Sequence, residues 1–310
     1  MAVSKKFNEK LWHRLFVAIT FLCIPWQINA QNTDWEWWNT LHGWESGMPN
    51  WRMWLTISPG YLGPNALPVP DMKNGLIKSE GEAKISTGLH LKEGDNTQNI
   101  SGYFMIPFAK SKIAFEVYGV IIEKYQMSEQ VRDERVARDK DGKGITPGDI
   151  YFSTLIQLSR NRKFPNTLLR LATKTASGGA YYAARYSDSP GYFFDISFSK
   201  DLNTPKMATL RPFASMGFYS WQTNDEENLQ NDAFMFGAGL EFLKNDWTAT
   251  STVSGYAGYK NEKDQPLAFT FGLKKHIGRK SIQFQYIHGI KDWEYDTFMM
   301  AYSWHFKGIN

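Results

Sequence analysis

The stretch Thr297-Phe298-Met299-Met300-Ala301-Tyr302-Ser303-Trp304-His305-Phe306 decides the fold. Phe298, Met300, Tyr302, Trp304 and Phe306 fall on one face of an extended chain, with Thr297, Ser303 and His305 on the other. Successive side chains of a strand point to opposite faces, so this is a strand with one apolar side. Working back from it, the same period recurs. Ile282, Phe284 and Tyr286 oppose Gln283 and Gln285; Leu267, Phe269, Phe271 and Leu273 oppose Thr270, Lys274 and His276; Phe234, Phe236, Leu240 and Phe242 oppose Gly237, Gly239 and Glu241. Earlier segments set Leu210, Met216 and Phe218 against Arg211, Tyr192, Phe194 and Ile196 against Asp195, and Leu169 and Leu171 against Arg170 and Lys174. Ile150, Phe152 and Ile156 likewise oppose Asp149 and Ser153, Ile113, Phe115 and Val117 oppose Glu116, and Ala83, Ile85 and Leu89 oppose Lys84 and His90. Two weaker segments, at 99–108 and 247–258, complete the series.

About twelve such strands run from Glu82 to Lys307, many of them about ten residues long, the length that crosses a bilayer at a tilt. No later segment offers the roughly 18 consecutive apolar residues of a spanning helix. A closed sheet pairs every backbone group internally, which the hydrocarbon core demands of any spanning structure. A soluble sandwich also alternates, but its strands are shorter and its apolar faces meet each other. The expected fold is therefore all-β, a transmembrane antiparallel β-barrel of about 12 strands in a Gram-negative outer membrane. It rises to 14 strands if Trp51–Ser58 pairs with another piece. Connections agree with one orientation. The turns at 109–111, 161–165, 200–207, 244–246 and 278–279 are mostly short. The alternate set, at 93–96, 123–146, 176–189, 222–231, 259–265 and 290–295, contains the longest loops, as outer loops should be.

Three regions follow: 1–30, 31–81 and 82–307. Residues 1–30 place Lys5, Lys6, Lys10 and Arg14 before an apolar run from Leu15 to Ile24, the order of a secretory signal peptide, with cleavage expected after Ala30. That run is too short for an anchor. The single cysteine, Cys23, lies within it, so no disulfide or thiolate metal site is expected downstream. Removing the region takes away four basic residues and one acid and lowers the net charge from +4 to +1, which argues against nucleic acid as a partner. Residues 31–81 break the alternation with Trp35, Trp37, Trp38, Trp44, Trp51 and Trp54 and a Pro/Gly-rich run from Pro59 to Pro70. Proline interrupts a ladder, so a periplasmic or lumen-inserted segment is expected. Burial of its tryptophans in the lumen would bring it against Arg170, Lys174, Asp195 and Arg211, with Asp34, Glu36, Asn39 and Glu45 as partners for those charges.

Charge on a lipid-facing wall costs about 2–4 kcal/mol at midplane for Arg or Lys, so strand charges belong in the lumen. The expected lumen-facing set is Lys84, Glu116, Asp149, Arg170, Lys174, Asp195, Arg211, Glu241 and Lys274. Its mixed signs suit either a wet pore or a paired polar plug, and a barrel this narrow favours constriction. The sequence contains no Gly-x-Ser-x-Gly, His-Glu-x-x-His or phosphate-loop motif, so no catalysis and no cofactor are expected. His288 has no serine two positions away. The run Asn224-Asp225-Glu226-Glu227, with Asn231 and Asp232, carries cation-type oxygen ligands but reads as a solvated loop, and no metal is expected.

The stretch Gly148-Asp149-Ile150-Tyr151 through Gln157-Leu158, with Pro165 and Lys174-Thr175-Ala176-Ser177-Gly178, resembles outer-membrane proteins of the meta-pathway of phenol degradation. Those proteins are similar to long-chain fatty-acid channels with an amino-terminal plug. The resemblance covers about thirty residues and implies passive uptake of small or hydrophobic solutes, with no catalytic residues. The alternative function is a structural or accessory barrel that docks an envelope protein through residues 31–81. Membrane lipid and the barrel-assembly machinery are the other expected partners, the latter through the aromatic last strand ending at Phe306.

Overall fold

The computed structural model describes residues 34–160, 163–203 and 208–309; the expected signal peptide lies outside them. After helix α1 (Glu36–His42) and a 3-10 turn (Trp51–Trp54) come strands β1 (Glu80–Lys92), β2 (Asp95–Phe108) and β3 (Ile113–Met127). Helix α2 (Glu129–Glu134) and the short β4 (Lys143–Thr146) precede β5 (Ile150–Ser159), β6 (Asn166–Lys174), β7 (Gly191–Ser199) and the two-residue β8 (Leu202–Asn203). The chain closes with β9 (Thr209–Gln222), β10 (Gln230–Lys244), β11 (Trp247–Ala257), β12 (Leu267–Ile277), β13 (Lys280–Lys291) and β14 (Asp296–Lys307).

The long strands pair antiparallel with their neighbours around a ring, and β14 returns to β1 from Glu80↔Lys307 to Leu91↔Asp296. The result is a closed twelve-strand barrel. β4 and β8 are side pairings on β3 and β9, and Trp51–Ser58 joins no sheet, so the fourteen-strand alternative is not realised. Short turns such as Asn245-Asp246 and Gly278-Arg279 gather at one end. Asn245 and Gly278 adopt the left-handed conformation these tight reversals require. The other end carries the long loops.

The barrel is inside out relative to a soluble protein. Ile85, Leu89, Phe104, Phe152, Leu171, Phe218, Phe284 and Met300 are exposed, while the alternate positions, Ser86, His90, Ser153, Arg170, Asp195 and Ser303, are buried. Left in water, each large apolar side chain would forgo about 1.5–3 kcal/mol of burial; hydrocarbon removes that penalty. One irregularity re-aims a strand. Ile100 faces Ile122 but Ser101 faces Val120, leaving Ile121 as a bulge in β3. Below it Ala114 and Glu116 are buried; above it the parity flips to Glu123, Tyr125 and Met127.

Residues 55–79 run inside this ring from the long-loop end to the short-turn end. Leu55, Ile57, Leu62 and Leu67 pack with inward-facing Tyr151, Phe193, Tyr219, Trp221 and Tyr256, drawn from several strands. Pro59 and Pro64 sit in tight turns, closed by the Tyr61 N–H on the Ser58 carbonyl and the Ala66 N–H on the Gly63 carbonyl, and with Pro68 and Pro70 they lack N–H groups that would otherwise need partners in the interior. The tryptophans lie elsewhere than expected. α1 rests on the long loops, where Trp38 is buried and its indole N–H donates to the Val136 carbonyl at 2.9 Å. Arg138 stacks on Trp35, Trp38 and Trp51, and Arg132 on Trp37. Arginine stacking satisfies an indole as well as apolar burial does, so these rings cap the mouth instead of entering the lumen.

Candidate functional site: the occupied lumen

The interior segment is tied to the wall along its whole length. At the long-loop end the Trp221 indole donates to the Ile57 carbonyl at 3.1 Å, and the Trp293 indole to that of Pro64 at 2.9 Å. Midway, the Tyr256 hydroxyl donates to the Leu67 carbonyl at 2.7 Å, and Arg170 to that of Asp71 at 3.0 Å. Lower down, Lys73 meets Glu116 at 2.6 Å and the Asn74 amide meets Glu241 at 3.1 Å. Nearest the short turns, the Gln157 side chain accepts from the Ile77 N–H and donates to the Gly75 carbonyl, both at 2.8 Å. Arg160 also donates to the Ile77 carbonyl.

The expected lumen-facing residues fall into this interior, mostly as pairs. Arg170 and Asp195 stand directly across β6 and β7 with Nε–Oδ2 at 2.6 Å, and Lys174 meets Asp149 at 2.7 Å. Arg211 bridges Asp201 and Glu241, each at 2.6 Å. Lys274 pairs with Glu82 at 2.8 Å, and Glu82 also takes Lys78 at 3.0 Å. Glu116 accepts from Lys73, Tyr103 and Ser153, each at 2.6 Å. Lys84 has no carboxylate partner among the described residues and lies over the Tyr103 ring at 4.8 Å. Of the four charges expected to touch the amino-terminal segment, only Arg170 does so directly. Lys174 turns to Ser187 and Ser189, and Asp195 to Arg170. The acids expected to meet them stay at the mouth: Asp34 accepts from the Glu36 N–H, and Glu36 and Glu45 are exposed.

Sequence reasoning missed a second cluster, at the long-loop end. Arg185 grips Glu123 at 2.8 Å and Asp95 at 2.9 Å, and Arg135 reaches Asp95 at 2.7 Å. The Tyr295 hydroxyl donates to Asp95 at 2.7 Å and that of Tyr186 to Glu123 at 2.9 Å, while the Asn65 amide donates to Glu123 at 2.8 Å. Burial opposes the positive charge on both arginines. The neighbouring Asp95 and Tyr295 beside Arg135, and Glu123 and Asp95 beside Arg185, outweigh it and hold both above their ordinary values. The cluster binds three loops and the interior segment into one lid. The signal that would have found it is the alternation Glu123, Tyr125, Met127 against Lys124 and Gln126, which resumes in the other phase after the bulge.

The other candidates are accounted for locally. His288 bonds Asp296 at 2.8 Å and is exposed. The Asn224 amide donates to the Leu55 carbonyl, and Asp225 pairs with Lys260, which with a bond from the Glu227 N–H lowers its carboxyl to about 2. Among the described residues no three His, Cys, Asp or Glu side chains are grouped to hold a metal.

No family model and no curated protein matches this chain. Among solved structures, an outer-membrane channel of Pseudomonas putida F1 matches with a TM-score of 0.50 at 11% identity, covering 78% of this chain and 97% of that one. The KdgM porin matches with a TM-score of 0.44 at 7% identity, over 71% and 98%. An anion-selective porin from Comamonas acidovorans matches at 0.34 and 8% identity, over 73% and 98%. With the ring geometry, the first likeness shows that this chain has the fold of an outer-membrane β-barrel. The resemblance to phenol meta-pathway proteins is met at the level of the barrel fold and no finer.

Proposed function

We propose that the barrel is a passive uptake channel for small solutes, held shut at rest by residues 55–79. The observation that carries this reading is the continuous set of contacts from Ile57 to Ile77, which carries the segment through the lumen from one end to the other while leaving the barrel wall fully paired. Short turns mark the periplasmic end of such barrels, so the tryptophan cap and the arginine cluster lie at the outer mouth. The charged and hydroxylated lining favours polar solutes over hydrophobic ones. Deleting residues 31–79 and recording conductance in planar bilayers tests the reading: a marked rise is expected, and an unchanged trace from a folded barrel would defeat it. One observation favours a scaffold instead. Leu41, Met48 and Met53 are exposed beside half-buried tryptophans at the outer mouth, a surface on which an envelope protein can dock.

A further inference from the structure

The lumen is unevenly filled. On the β5–β7 side, inward polar groups are engaged: Ser153 with Glu116, Gln157 with Gly75 and Ile77, Arg170 with Asp195. On the β11–β13 side, Thr248, Thr250, Thr252, Thr270, Gln283 and Gln285 also face inward, as the register to Glu241 and Lys274 fixes. Their side chains have no hydrogen-bond partner among the described residues, and each is partly exposed. A side chain built on Gly272, in the same wall, would meet nothing nearer than 3.9 Å. Open space therefore lies between this wall and the interior segment. Towards the outer mouth it ends at Tyr256, Trp293, Tyr295 and His90, all buried. The space is a vestibule closed towards the outer mouth.

Its chemistry is specific. Threonine hydroxyls donate and accept, and glutamine amides offer two donors and two acceptor lone pairs, so the wall matches a ligand rich in hydroxyls. At its edge Lys84 supplies an ammonium with no carboxylate partner among the described residues. The other cations of that wall are engaged, Lys274 and Lys78 by Glu82 and Lys73 by Glu116. On the adjoining strand Glu241, directly opposite Thr250, is matched together with Asp201 to Arg211. We propose that this vestibule is a binding site for a small hydroxylated carboxylate, its carboxyl on Lys84 and its hydroxyls on the nearer wall residues Gln283 and Gln285, two strands away. The proposal rests on the channel reading for its biological use, since such a ligand would be the solute carried or the one that meets the plug from the periplasm.

Calorimetric titration of the detergent-solubilised protein with sodium gluconate, glucose and sodium chloride tests it. Gluconate is expected to bind more tightly than glucose, and chloride to give no competing heat. Lys84→Gln should weaken gluconate roughly tenfold or more, the loss of one charge-assisted bond, and leave glucose unchanged. Gly272→Trp should abolish both by filling the space, whereas Lys275→Gln, on the outer face, should change neither. Gluconate binding that is absent, or unaffected by both Lys84→Gln and Gly272→Trp in barrels that migrate as folded, overturns the proposal. Binding that behaves as expected while deletion of residues 31–79 leaves conductance unchanged defeats the channel and keeps the site.

Discussion

Lys73→Met should open the barrel without unfolding it. Lys73 and Glu116 form a direct ion pair between the interior segment and the wall, with side chains 20% and 1% exposed. Removing the ammonium leaves a sealed carboxylate held only by the Tyr103 and Ser153 hydroxyls. Breaking a buried pair from one side costs about 3–5 kcal/mol, and the partial exposure of Lys73 places this case near 3. The penalty falls on the closed arrangement alone, because departure of the segment lets water reach Glu116. About 3 kcal/mol then moves the ratio of open to closed states roughly a hundredfold. Single-channel recording reads this as a rise in mean current. Adding Glu116→Gln should restore closure, since replacing both partners removes the uncompensated charge. If Lys73→Met keeps the wild-type current while deletion of the segment raises it, the pair does not hold the plug and the reasoning fails.

Other consequences follow from the loops and the last strand. Arg185→Met should lower hydrogen-exchange protection in residues 128–149 and 175–190 by about 3 kcal/mol, because it leaves buried Glu123 without a cation while Asp95 keeps Arg135; equal protection in both proteins would refute the lid. Asp139 is buried with one oxygen unpartnered, and burial, against the opposing Tyr125 bond, raises its carboxyl. Its stabilising effect is present below the ordinary carboxylate range and lost as pH rises through the raised value, so intrinsic-rate-corrected protection of residues 128–149 should fall from acid to neutral pH and flatten in Asp139→Asn. Phe306 stacks on Phe104 at 5.5 Å at the seam between β14, β1 and β2. Phe306→Ala should reduce the outer-membrane level of the protein, and normal levels by quantitative blotting would exclude a role in recognition by the assembly machinery.

The strands were legible because the physics is one-sided: a residue facing hydrocarbon must be apolar, so Phe298, Met300 and Tyr302 announce their face without knowledge of any neighbour. The lumen was legible only as a set of charges. Pairs such as Arg170 with Asp195 depend on register, which period two leaves open. Glu123 was read as loop because the bulge at Ile121 changes phase, and a fixed period cannot cross it; Asp95 was read as loop because it opens β2 beside the turn at Glu93-Gly94. The tryptophans were placed in the lumen on burial alone. Arg132 and Arg138, which stack on them, sit about a hundred residues away on a charged loop whose fold only the tertiary structure fixes. Prolines 59–70 correctly excluded a strand, yet nothing in them states which opening the chain enters.

The wall's own pairing bears on whether the interior segment is a removable part or a structural core. Arg170↔Asp195 and Arg211↔Glu241 are opposite residues on neighbouring strands, and Lys174 meets Asp149 where β6 passes the start of β5. Each charge is therefore compensated by the barrel itself. Glu82 keeps Lys274 if Lys78 leaves, and among the described residues Glu116 loses its cation with Lys73 and the exposed Asp188 loses Arg52. What the segment adds beyond that is a series of bonds to its backbone carbonyls, which water can replace, and the apolar packing of Leu55, Ile57, Leu62 and Leu67 on the wall's aromatic residues, which water cannot. A barrel lacking residues 31–79 should then remain closed as a sheet and keep its shifted migration when unboiled, while loss of the apolar packing, at about 1.5–3 kcal/mol for each large side chain, lowers its stability more than the unpaired carboxylate does. Failure of that barrel to fold, with Glu116→Gln unable to rescue it, would make residues 55–79 the core of the protein instead of its plug.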